Sequence, residues 1–211
     1  MDRGTLVFGF VGIALAIGVP LLIEERRRPR LRIDVAADAN RIEPTKFRIV
    51  HVAVRNEPIE GILAKWLLRN PASGCRVEVS LRIETDDLEV QFAGKWSATP
   101  EPISYAVGDS LTEYADPQKI PAMLTLDVLA SRKGEWVAIA IKHDGEGEAY
   151  GYGTDLYFNP ESKPLRNAEL VLPDTSYLVT VTASAGEISK TAQFRLRNDG
   201  DRSTGLSLET L

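Results

Sequence analysis

Cys75-Arg76-Val77-Glu78-Val79-Ser80-Leu81-Arg82-Ile83-Glu84 is the stretch on which the fold turns. Its odd-numbered positions, Cys75 through Ile83, are apolar, and its even-numbered positions are charged or polar. Side chains along an extended strand point alternately to opposite faces, so this pattern describes a strand with one dry face and one wet face. A helix of the same sequence would scatter both classes around its circumference. The surrounding domain is therefore expected to contain antiparallel sheet lying on a core.

The same period of two recurs in both directions. Upstream, Leu31, Ile33 and Val35 alternate, and Phe47 to Asn56 sets Val50, Val52 and Val54 against Ile49, His51 and Ala53. Downstream, Leu88, Val90 and Phe92 alternate, as do Leu124, Leu126 and Val128, and then Val137, Ile139 and Ile141 after the turn-like Ser131-Arg132-Lys133-Gly134. Two closing strands, 177–184 and 189–196, are joined by Ala185-Gly186-Glu187. One segment departs from this period. Ile59, Ile62, Leu63, Trp66 and Leu67 recur at helical spacing until Asn70-Pro71 ends the run, with Lys65 and Arg69 on the polar side. This predicts a short helix whose Trp66 either caps an open edge of the core or offers its face to lipid or a partner protein.

Many short strands, turns marked by Gly and Pro, and almost no long helix predict an all-β sandwich over residues 33–197. The polar, Gly-containing segment 198–211 reads as a flexible tail. Within the closing strands, Val171, Pro173, Thr175, Tyr177, Val179 and Val181 alternate with other residues. This resembles the approach to the penultimate strand of fibronectin type III domains, where a tyrosine follows such a Pro and Thr. The resemblance implies an immunoglobulin-like β-sandwich, here with insertions, since that family runs to only about 100 residues. It also implies a corner at Tyr177, with the hydroxyl bonded back to the backbone. It carries no activity.

The amino-terminal end is of another kind. Thr5 to Ile23 is one apolar run without an ionisable side chain, followed at once by Glu24-Glu25-Arg26-Arg27-Arg28-Pro29-Arg30-Leu31-Arg32. As a helix the run reaches roughly 28 Å, close to the ~30 Å thickness of a bilayer's hydrocarbon. A cleaved signal peptide has a shorter core and a small-x-small cleavage site, and neither is present. Residues 1–23 are thus expected to form a transmembrane helix and 24–32 a basic juxtamembrane segment. The five arginines after the run outnumber Arg3 before it, which predicts a cytoplasmic domain. Arg26, Arg27, Arg28, Arg30 and Arg32 are expected to meet anionic lipid headgroups. The small-xxx-small pairs Gly12/Ala16 and Ala14/Gly18 offer a face for a homodimer through the membrane helix.

Composition narrows the function. The net charge is −5 despite the basic block, so the domain itself is acidic, which argues against nucleic acid as a partner. A single cysteine and two histidines cannot assemble a His/Cys zinc site, and one cysteine demands no oxidising compartment. Cys75 stands on the dry face of its strand, away from His51, and reads as an inert core residue. There is no phosphate loop, dinucleotide fingerprint or nucleophile elbow. Trp96, before the Pro-rich Thr99-Pro100-Glu101-Pro102, is expected to anchor a loop over the core, with an aromatic ligand platform as the alternative.

His143 to Asp155, rich in Gly and acids, reads as an exposed connection between strands. Its Tyr150 and Tyr152 are candidate partner-binding residues, together with Trp66. Asp144, Glu146, Glu148 and Asp155 could instead wrap a hard cation, though without calcium-loop spacing. The function expected from these features is a single-pass, membrane-anchored interaction or assembly module without cofactor or catalytic set, bound to an unidentified protein. The alternatives are an extracytoplasmic cell-surface module of reverse topology and a metal-dependent enzyme.

Overall fold

In the computed structural model, the described residues are 16–36, 47–84, 89–100, 103–107, 111–116, 118–153 and 166–211. Strand β3 (Ala72–Ile83) contains the quoted stretch, and its burial alternates as the sequence demands: Cys75, Val77, Val79 and Leu81 are buried, while Arg76, Glu78 and Arg82 are exposed. It pairs antiparallel with β12 (Ser176–Ala185), aligning Val79 with Val181 and Leu81 with Val179. β12 turns through Gly186 into β13 (Ile188–Asn198).

Around that ladder are two six-stranded antiparallel sheets. One carries β14 (Leu206–Thr210), β13, β12, β3 and β4 (Glu89–Ala93), with β8 (Leu126–Val128) beside β3. The other runs β1 (Leu31–Val35), β2 (Phe47–Asn56), β9 (Glu135–His143), β10 (Ala149–Gly151) and β11 (Val171–Leu172), with β5 (Lys95–Trp96) also on β9. β6 (Ile103–Val107) and β7 (Leu111–Ala115) form a separate hairpin. A five-residue helix, α2 (Ile120–Leu124), takes up Leu124, so the strand expected there begins only at Leu126.

The sheets share one core. Leu31, Ile33, Val52, Val54, Val137 and Ile139 from one meet Val77, Val79, Val181, Phe194, Leu196 and Leu206 from the other. Each such side chain, fully buried, contributes about 1.5–3 kcal/mol. The pairing of β2 with β9 slips between Val50 and His51, so Val50 faces Ala140 and His51 faces Ala138. Ile139 is the extra residue of a bulge, and both Ile139 and Ala140 therefore join the core. Gly134 (φ 73°) makes the turn into β9, where a Cβ would lie 2.6 Å from the Arg55 side chain and 2.9 Å from the Val54 carbonyl oxygen.

The carboxyl-terminal segment corrects the expected tail. Leu206 and Leu208 are buried, and β14 pairs with β13 from Asn198↔Leu206 to Phe194↔Thr210. A polar turn hides a Leu-Ser-Leu alternation that is too short to be seen as a strand without its partner. At the other terminus, residues 16–27 are helical (α1). Residues 5–15 of the apolar run, with Gly12 and Ala14, lie outside the described residues. Among the described residues no helix is long and apolar enough to cross a membrane.

Candidate functional site

The two-sheet domain has two chemically different ends, and the chain reaches one of them directly from α1. Pro29 cannot continue a helix and pushes Arg28 out of helical geometry, so the chain leaves α1 there. It is then held against the domain. The Arg27 carbonyl accepts from Asn70 N at 2.7 Å, the Arg69 guanidinium donates to the Arg28 and Glu57 carbonyls, and Glu57 N donates to the Arg30 carbonyl at 2.9 Å. Asn56 closes this arrangement from inside. It is wholly buried, its Oδ1 accepts from Arg30 N at 3.0 Å, and its Nδ2 donates to the carbonyls of Asn70 (2.8 Å) and Val128 (3.2 Å). One side chain thereby joins the linker, the 57–70 loop and β8.

Beside Asn56 lies an open groove lined by Arg26, Arg30, Arg32, Arg55, Arg69 and Arg132, with the carboxylates of Glu57 and Glu60 also in its wall. Two carboxylates answer part of that charge: Asp34 sits 3.0 Å from Arg32 and 3.5 Å from Arg55, and Glu57 3.6 Å from Arg32. Arg26, Arg30 and Arg132 have no carboxylate partner among the described residues. Burial, and after it the neighbouring Arg30 charge, lowers the pKa of Arg69, while Glu57 opposes the shift. Of the expected headgroup residues, Arg26, Arg30 and Arg32 enter this groove. Arg27 and Arg28 instead pair along exposed α1 with Glu24 (3.6 Å) and Glu25 (3.1 Å), contacts worth at most about 1 kcal/mol each.

The 57–70 loop differs from the expected short helix. Ile62–Lys65 forms a single 3-10 turn, and Ile59 is buried against the domain. Trp66 does not cap the core. It is 83% exposed, with Ile62 at 85%, Leu68 at 80% and, beside Asn56, Leu129 at 64%. Apart from Val171 and Leu211, every large apolar side chain exposed among the described residues lies on α1 or at this end of the sandwich.

Tyr150 and Tyr152 require a correction. They are 9% and 6% exposed and pack with Ala138 and Ile141 on the outer face of their sheet, so they cannot supply a binding surface. The glycine between them and the one after serve packing rather than a turn: a Cβ at Gly151 would lie 3.1 Å from the Leu170 side chain, and one at Gly153 3.1 Å from Phe92. Tyr150 in addition donates to Glu146 at 3.3 Å. Among the described residues of this segment, 144–148 form the loop between β9 and β10.

Two of the three acids of that loop are engaged by the protein itself, and the third, Glu148, is exposed. Glu146 pairs with Arg166 at 2.6 Å, which holds its carboxyl below the usual range, and Asp144 caps Ser203 N at 2.8 Å. Asp155 lies outside the described residues. Among the described residues no three His, Cys, Asp or Glu side chains converge as a metal site.

The remaining reactive groups are interior. Cys75 is wholly buried, and burial pushes its thiol up to about 11. Burial, with the nearby Lys95 charge, lowers His51 to about 4, so its imidazole is neutral at pH 7. Trp96 anchors its loop as expected, fully buried with its indole N–H on the Leu124 carbonyl at 3.2 Å. The Tyr177 hydroxyl donates to the Pro173 carbonyl at 2.9 Å, the backbone bond expected of it. Sequence reasoning missed Lys142 and Asn198, a buried polar pair joining the sheets at the end opposite α1.

No family model matches this chain, and no curated protein or solved structure matches it.

Proposed function

We propose that this chain is a single-pass membrane protein whose immunoglobulin-like sandwich is a cytoplasmic interaction or assembly module. One observation carries the reading: exposed apolar side chains gather on α1 and on the end of the domain from which α1 emerges, beside a groove of six arginines. Arginine next to apolar surface is the composition of a membrane interface, and the arginine excess after the run favours the cytoplasmic side. The corner bond of Tyr177 supports the immunoglobulin-like type. The opposite end carries Asp144, Glu148, Asp199 and Asp201, all exposed, and is the surface held away from an anionic leaflet. A basic protein surface is the partner that fits it.

Glu148→Cys tests both the side and the partner, because position 148 is exposed and buried Cys75 stays silent to maleimide in the folded chain. An impermeant maleimide is expected to label it only after lysis. A benzophenone attached there in isolated native membranes is expected to cross-link a protein. Labelling in intact cells would reverse the topology, and a chain that recovers bound metal or turns over a substrate without a cross-linked partner would favour the enzyme reading.

A further inference from the structure

Distance along the chain limits where the Trp66 loop can sit. Arg27 lies four residues past the apolar run, about 6 Å along a helix. That is within the headgroup layer, which is about 5–8 Å deep on each side of the hydrocarbon. The Asn70 amide is hydrogen-bonded to the Arg27 carbonyl at 2.7 Å, so the base of the loop is at the same depth. Trp66 is four residues from Asn70 and can stray from it by at most about 14 Å.

Two features then select what covers the loop. Its exposed side chains, Ile62, Trp66 and Leu68, are continued by Leu129 on the neighbouring segment, and tryptophan is the side chain that favours a bilayer interface. Behind them stand Arg26, Arg30 and Arg132, cations without carboxylate partners among the described residues and suited to phosphate.

Resting on the anchored reading above, we propose that the Ile62–Leu68 loop and Leu129 insert into the headgroup layer of an anionic phospholipid bilayer while the groove arginines hold lipid phosphates. The domain is thereby docked on the membrane by two elements, α1 and the loop. It does not swing on a single tether. Docking gives the acidic far end a fixed height and direction, which a module assembling partners along a membrane can use.

The full chain, reconstituted in vesicles of phosphatidylcholine and phosphatidylglycerol with brominated acyl chains, tests this. Trp66→Phe keeps the loop apolar while removing its fluorophore, so the difference between wild type and variant isolates Trp66 from Trp96 and Trp136. Bromolipid is expected to quench wild type more than Trp66→Phe. The excess should shrink when Arg26 and Arg132 are both replaced by Gln, or when phosphatidylglycerol is omitted. If the chain floats with the vesicles but the two proteins are quenched alike, docking is overturned while the anchor stands. Acrylamide then separates the causes: an accessible Trp66 means the loop is in water, and a shielded one means a protein covers it. A chain that does not float overturns the anchor and the docking together. Excess quenching that ignores lipid charge and the arginine substitutions would overturn the phosphate role.

Discussion

Asn198→Ala is expected to lower the free energy of unfolding by about 3–5 kcal/mol, from one charge-assisted hydrogen bond lost and buried carbonyls left without their donor. Lys142, at the end of β9, is completely buried, and its ammonium donates to Asn198 Oδ1 and to the Gly200 carbonyl, with Gly147 at 3.4 Å. Asn198, on the other sheet, donates through Nδ2 to the carbonyls of Leu172 (2.8 Å), Gly147 (3.1 Å) and Pro173 (3.1 Å). Burial lowers the Lys142 pKa, and the charges of Asp174, Asp199 and Asp201 oppose that shift. Removing Asn198 takes one acceptor from the ammonium, which keeps the Gly200 and Gly147 carbonyls, and leaves three carbonyls without this donor. Lys142→Met removes the buried charge itself, leaves Asn198 Oδ1 and the Gly200 carbonyl without this donor, and should cost less, about 1–3 kcal/mol. Urea denaturation of both variants decides the matter. A larger loss for Lys142→Met would mean that Lys142 contributes packing and not a charge in need of its cage.

Tyr177→Ala is expected to cost about 3–5 kcal/mol, the usual loss for a large core aromatic. Its ring lies in the shared core beside Leu196 and Ile83, while the hydroxyl reaches the Pro173 carbonyl. Tyr177→Phe keeps the ring and gives up only that bond, so about 1 kcal/mol should go. The difference between the two variants separates packing from the corner. Equal losses would mean that the hydroxyl carries the whole effect, and an unchanged melting curve for Tyr177→Ala would place the residue outside the core.

These two sites differ in how far the sequence betrays them. Tyr177 is legible because its neighbours alternate and its own position falls on the inward phase, as with Cys75 to Leu81. Lys142 falls on the phase opposite Val137, Ile139 and Ile141, and only the bulge at Ile139 turns it inward. Its partner lies 56 residues away on the other sheet, and no local period records such a pairing. Tyr150 and Tyr152 failed for a related reason. Glycine between aromatics is ambiguous between a turn and a close approach, and only the presence of Leu170 and Phe92 decides for the second. The end of the domain next to α1 was half legible. Charge and apolarity pointed to it, whereas the exposure of Ile62 and Trp66 depends on a helix stopping after a single 3-10 turn. Asn56 could not be identified, because its role is to join three segments that meet only after folding.

Membrane fractionation of the full chain bears most directly on the account, since both the module reading and its docking depend on attachment through residues 5–23. The full chain is expected to sediment with membranes, to remain there through alkaline carbonate, and to be released only by detergent. The same chain without residues 1–23 is expected in the carbonate supernatant. A full chain stripped by carbonate, or found in the supernatant from the start, would contradict the anchored reading.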